Sequence, residues 1–328
     1  MKIGLALPQY DYANPGPEPL AWETVSRYAE LAEASGLDSV WLSDHLLLDV
    51  AKYGGPPHRE DAYEPLVTLA ALARRTSRVR LGTLVMLEAL RPATLAGKAL
   101  ASLDRISGGR VDVGMGAGWY EPDYEAIGMS MPAPGVRLAR LAEAVQVCKG
   151  VMGGETYTFD GRYHRCAGAV VDPPAVQTPR PRVFVGGKGD RLLGLAAAHA
   201  DGWNTCWVWT PQTYEERLGV LERACEQIGR DPATVWRSLG LYALAGEDRA
   251  DLERRFERMR DRMPPGTLDV ELDDWSQGRL VGTVDEVREQ AQRWRALGIE
   301  TLVLGVGSVP FSVSTFDDVE LLAEALTG

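Results

Sequence analysis

Asp44 and His45 stand together just after a short apolar run, Ser39–Leu42, and this pair is where the chain could handle a proton. Imidazole alone has an ordinary pKa near neutrality, so it gives or takes a proton with little tuning. A carboxylate beside it can help hold a ring cofactor. An isolated Asp-His pair serves as well as a structural cap, so its position must decide. His58, His164 and His199 fall in a loop, a hairpin and a helix, and read as structural or surface residues.

Two glycine runs come next. Gly114–Trp119 reads GMGAGW, and Val185–Asp190 reads VGGKGD at the mouth of a helix. Glycine lets backbone approach a planar ring or a phosphate closely, and free amides at a helix start attract an anion. Either run alone is simply a tight turn. Together they suggest a phosphorylated cofactor, with Lys188 adding a point charge. Trp41 reads as core, whereas Trp119, Trp203, Trp207 and Trp209 fall at or beyond strand ends and could line an apolar cavity.

The elements that must position these residues alternate. Short apolar runs predict strands at Lys2–Leu7, Ser39–Leu42, Val79–Val85, Val111–Gly114, Arg182–Val185, Gly202–Asn204, Trp236–Leu244 and Thr301–Leu304. Amphipathic stretches between them predict helices, among them Leu20–Ser35, Tyr63–Arg75, Pro92–Ser107, Gly135–Met152, Asp190–His199, Pro211–Gly229, Arg249–Arg262 and Val284–Leu297. Thr156–Arg165 reads as a hairpin around Asp160-Gly161. Eight such units fit an α/β fold closed as a (β/α)8 TIM barrel better than an open sheet. A dinucleotide-binding sheet should show G-x-G-x-x-G after its first strand, and here Pro8-Gln9-Tyr10 stands instead. The expected organisation is one barrel domain over 1–328, with insertions roughly at 46–62, 153–181 and 246–280. In such barrels the reacting groups gather at the carboxyl ends of the strands, which is where Asp44-His45 and both glycine runs fall.

Composition removes several function classes. The net charge of -11, with no block of Lys or Arg, argues against nucleic-acid binding. Four scattered cysteines suggest neither a disulfide framework nor a zinc site, so no metal is expected. The start is too short for a signal-peptide core, and no stretch approaches a bilayer span, so a cytoplasmic location is expected.

The chain resembles the luciferase-like monooxygenase family over nearly its whole length, in particular its F-420-dependent oxidoreductase branch. The resemblance is carried by Ile3–Gln9, GLDSVWLSDHLL (Gly36–Leu47), RVRLGTLV (Arg78–Val85) and RISGGRVDVGMGAGW (Arg105–Trp119). It continues through Arg137–Val147, Thr158–Arg165, Pro181–Asn204 and Val281–Gln290. It implies a cofactor across the carboxyl face, with Asp44 and His45 meeting its ring and His45 as proton donor or acceptor. It also implies a non-prolyl cis peptide at Leu84-Val85, flanked by Thr83, and a phosphate segment of Gly186, Gly187, Lys188 and Gly189. Gly116, Gly118 and Trp119 complete the expected cofactor-binding set. The sugar-phosphate dehydrogenases of this branch carry Trp four residues after the His and Glu after the fourth strand's glycines. Asp49 and Trp119 stand there instead, so a neutral, partly hydrophobic small molecule is the expected substrate.

The resemblance implies coenzyme F-420 and hydride transfer. The alternative is an FMN-dependent monooxygenase served by a separate cofactor reductase. A non-catalytic flavin-binding relative is a third reading, opposed by the retained Asp44-His45. The family also implies a homodimer.

Overall fold

The computed structural model describes residues 1–13, 20–57 and 59–328, with the side chains of 59–61 left aside. The expectation for His58 therefore lies outside the described residues.

Eight parallel strands form a closed ring: β1 (Lys2–Ala6), β2 (Ser39–Leu42), β3 (Arg80–Leu87), β4 (Val111–Gly116), β5 (Arg182–Gly186), β6 (Gly202–Trp207), β7 (Trp236–Gly246) and β8 (Thr301–Gly305). They pair in sequence from β1 to β6, β1 also pairs with β8 and β8 with β7, and β6–β7 pairing closes the cylinder. The helices are α1 (Trp22–Ala34), α2 (Pro65–Arg75), α3 (Ala93–Ser107), α4 (Glu121–Ala126), α5 (Pro134–Met152), α6 (Asp190–His199), α7 (Pro211–Gln227), α8 (Arg249–Arg262), α9 (Leu272–Ser276), α10 (Val284–Ala296) and α11 (Phe316–Thr327). No helix among the described residues is long and apolar enough to cross a membrane.

Local chemistry sets these boundaries. Thr283 and Glu286 form a reciprocal capping box at the start of α10, and Pro65 opens α2 behind the Glu64 side-chain cap. Helix α3 stops at Gly108, whose φ of 70° is left-handed.

Alternation along the strands sorts side chains into two layers. Val40, Leu42, Val111, Val113, Val183 and Val185 face the helices in one continuous core. Trp41, Phe184, Trp236 and Val303 fill the cylinder. Bulky rings there demand empty neighbours. A Cβ on Gly82 would lie 2.1 Å from the Trp41 ring, and one on Gly114 would lie 2.5 Å from Phe184. Trp41 is thus core, as the sequence predicts.

Strands β3, β4, β6 and β7 run two or three residues beyond the predicted ends, because their parallel partners continue alongside: Leu87 pairs with Gly116 and Trp207 with Leu241. The ladder between β3 and β4 shifts register between Thr83 and Met86. The insertion after β2 forms a small antiparallel pair, Leu47–Asp49 with Arg59–Asp61. The insertion after β7 carries α8 and α9 and its own apolar cluster. The two meet at Gly54 and Gly266, where a Cβ on Gly54 would lie 2.7 Å from the Gly266 carbonyl oxygen.

Candidate active site

A cavity of about 620 Å³ opens at the carboxyl ends of the strands. That size suits a ligand site. A second depression of about 570 Å³ lies at the opposite mouth, edged by the Arg80–Asp112 and Lys2–Asp38 ion pairs. Functional groups in this fold collect at the carboxyl face, so the first cavity is the candidate.

His45 lies on its wall, and its Nδ1 is 2.6 Å from Asp123 Oδ2. Asp123 is wholly buried in the first turn of α4, and its other oxygen accepts the Leu46 N–H at 2.9 Å. An ionised carboxylate only accepts, so Nδ1 carries the hydrogen and Nε2 is left as the acceptor. Trp119 and Tyr120 meet the imidazole edge-on at 5.6 and 6.0 Å. Lys52 sits over both of these rings, 4.9 Å from Trp119. Neither Asp123 nor α4 is foreseen from the sequence; an acidic residue closely following the fourth strand's glycines was the available signal.

Asp44, expected to meet the cofactor ring, is tied into the barrel as well. It borders the cavity, but Oδ2 accepts the Leu87 N–H at 2.9 Å and the Arg91 Nη1 at 2.5 Å, and Oδ1 accepts Arg91 Nη2 at 3.1 Å. Arg91 also reaches Glu64. The carboxylate is engaged in tying the end of β2 to the end of β3.

Thr83, expected in the cofactor set, is buried in the barrel wall. Its Oγ1 brackets Gly114, donating to the carbonyl at 3.0 Å and accepting the amide at 2.9 Å, and the residue does not line the cavity. Beyond it the Leu84–Val85 peptide is cis, as the resemblance implies, and both residues border the cavity. Val85 explains two of the glycines. A Cβ on Gly116 would fall 2.5 Å from its Cγ2, and one on Gly186 would fall 2.9 Å from its Cγ1. These glycines make room for the Val85 side chain, and both border the cavity. Gly118, at φ 78°, would press Leu87 and Tyr124 if it had a Cβ.

Gly186, Gly187 and Lys188 edge the same cavity as His45, whereas Gly189 does not. The Gly187 amide donates to the Asn204 carbonyl at 3.0 Å, and its carbonyl accepts the Trp203 indole at 2.7 Å. The Gly187 amide is therefore already engaged within the chain. Beyond it the Leu192 and Leu193 amides bond back to the Gly189 carbonyl, which leaves the Asp190 and Arg191 amides at the start of α6, beside the exposed Lys188.

Trp119 and Trp207 line the cavity. Trp203 and Trp209 do not: both pack on Tyr214 in the helix layer. Trp207 follows a second non-prolyl cis peptide, Cys206–Trp207, which the sequence reading lacks. It stacks on Tyr242 at 5.3 Å and meets Phe311 edge-on at 5.4 Å. Phe311 adopts a φ of 55°, rare for a bulky residue. Burial pushes the Cys206 thiol up to about 12, so it stays neutral. Among the described residues no group of three or more His, Cys, Asp or Glu could hold a metal ion.

The family model described as luciferase-like monooxygenase matches residues 1–301. An F-420-dependent glucose-6-phosphate dehydrogenase of Nakamurella multipartita is 31% identical over 275 residues, covering 81% of this chain and 76% of that protein. A 5,10-methylenetetrahydromethanopterin reductase of Methanolobus tindarius is 30% identical over 211 residues, covering 64% of this chain and 58% of that protein. Among solved structures, a monooxygenase of Streptomyces bottropensis is 26% identical with a TM-score of 0.79, covering 100% of this chain and 99% of that one. With the closed barrel and these matches together, the chain belongs to the luciferase-like monooxygenase family and is an oxidoreductase.

Proposed function

We propose that this protein transfers hydride between coenzyme F-420 and a small neutral organic substrate, with His45 handling the proton. The observation that carries the reading is the His45–Asp123 pair at 2.6 Å on the wall of the carboxyl-end cavity. Asp123 fixes the imidazole, and Nε2 is left to accept a proton from a substrate hydroxyl or return it to a carbonyl.

The residues present fit a flat, phosphorylated cofactor. Leu84 and Val85 offer an apolar backing, and Lys188 with the amides at the start of α6 supplies cationic character at one edge. When bound, a deazaflavin supplies two-electron hydride chemistry and does not readily activate oxygen. The F-420-dependent glucose-6-phosphate dehydrogenases among its relatives support this cofactor over FMN. The Asp44 charge is matched by Arg91, so it does not call for a cationic substrate. Trp119, Trp207 and Phe311 add apolar surface, which suits an uncharged molecule. A cytoplasmic homodimer belongs to the same reading.

A second reading, an FMN-dependent monooxygenase with a separate reductase, is favoured by one observation: the likeness to the Streptomyces monooxygenase along the entire chain. The test of the first reading is His45→Ala. It should leave F-420 affinity nearly intact and lower F-420-linked turnover on a panel of ketones and alcohols by on the order of 10²-fold or more. Unchanged turnover would remove His45 from the reaction.

A further inference from the structure

We propose that Tyr53 grips the substrate's oxygen, donating a hydrogen bond from its hydroxyl to a carbonyl or alcohol oxygen of a neutral molecule held in the cavity. This rests on the neutral-substrate reading above and adds the group that would recognise the oxygen.

Two tyrosines line the cavity, Tyr10 and Tyr53. Tyr10 is engaged, because its hydroxyl lies 2.5 Å from Ser43 Oγ, which in turn donates to the Gln9 carboxamide. The Tyr53 hydroxyl makes no hydrogen bond among the described residues. A phenol O–H in a largely apolar cavity is an unmet donor, and such groups ordinarily find a partner. The titratable groups that act on it are the Cys206 thiol, which burial keeps neutral, and the Tyr120 phenol. Burial pushes the Tyr53 phenol well up, so it remains a donor at any working pH. Its natural complement is a neutral acceptor.

The turn that presents Tyr53 is built for rigidity. Residues Val50–Tyr53 form one 3-10 turn, opened by Asp49, whose carboxylate accepts the Ala51 N–H at 2.9 Å. The turn is closed by Gly54 at φ 92°, a conformation that favours glycine. Tyr120 anchors its base, accepting the Asp49 N–H at 3.1 Å, and the same Tyr120 ring lies edge-on to His45. The insertion after β7 backs the turn at Gly266. Asp49 thus shapes the turn that carries Tyr53. His45 and Tyr53 are thus both fixed through Tyr120 on one cavity, one positioned for a proton and the other for the oxygen.

The test uses two probes of nearly the same shape, acetophenone and α-methylstyrene, which differ by an oxygen acceptor in place of a methylene. Binding to the full chain is followed by saturation-transfer NMR and by quenching of tryptophan fluorescence, with and without F-420. The wild-type protein should prefer the ketone by roughly tenfold, and Tyr53→Phe should abolish that preference while leaving affinity for α-methylstyrene unchanged. Thermal unfolding of the variant checks that packing is retained. A preference that survives in Tyr53→Phe overturns the proposal, as does a wild-type protein that does not favour the ketone, including one that binds neither probe. F-420 affinity is measured separately: failure there contradicts the cofactor reading, while the ketone preference of the unloaded protein still decides the role of Tyr53.

Discussion

The imidazole of His45 and the carboxylate of Asp123 meet at 2.6 Å although 78 residues separate them in sequence. The second Asp123 oxygen is held by the Leu46 N–H, which makes the pair directional. In Asp123→Asn the amide oxygen stays on that N–H, so the NH2 turns toward Nδ1 and drives the proton to Nε2. Turnover should fall on the order of 10²-fold or more, with F-420 affinity unchanged. Nitrogen-15 NMR of the His45 ring should report the tautomer switch, and an unchanged tautomer would refute it.

The glycines at the cavity floor are explained by Val85, which gives a coupled prediction. Gly116→Ala places a Cβ 2.5 Å from Val85 Cγ2 and should destabilise the fold by about 1–3 kcal/mol in urea unfolding. In a Val85→Ala background most of that cost should disappear, because residues in contact are not additive. An equal cost in both backgrounds would remove Val85 as the reason for the glycine.

Much of this organisation is legible in the sequence, and the limits have physical causes. The eight strands and most helices announce themselves through apolar runs and helical spacing, because each element's pattern is local. Six-residue α4 has too few residues to show a period, so Asp123 stays hidden. The GMGAGW run is plain as sequence, but its meaning is not. Gly114 clears Phe184, 70 positions later, and Gly116 clears Val85, 31 positions earlier. The same distance effect hides the partner of Asp44, because Arg91 lies 47 residues on.

Asp201 gives a stability prediction with a definite sign. Burial raises its pKa, but Arg180, the Val183 amide and Lys149 outweigh this and lower it to about 2. A depressed carboxylate stabilises the fold above its unfolded pKa of about 3.9, and that contribution is lost as pH falls through the folded value. Asp201→Asn should therefore cost on the order of 2 kcal/mol at pH 7, with the difference from wild type shrinking between about pH 4 and pH 2. Denaturant unfolding across that range checks it, and a cost that does not change with pH would contradict the ion-pair account.

Acid sensitivity should also appear at Glu33. Burial opposes ionisation, yet the amides of Arg78, Val79 and Ser77 bring its pKa down to about 2. Glu33→Gln should destabilise the protein at neutral pH and converge with wild type over the same acid window. Persistent divergence at about pH 2 would assign the loss to packing.

The central claim is that the cavity between His45 and the start of α6 takes a deazaflavin. Fluorescence titration of the purified chain with F-420 and with FMN, side by side, tests it most directly. The account predicts saturable F-420 binding clearly tighter than FMN binding; tight FMN binding with weak or absent F-420 binding would contradict it.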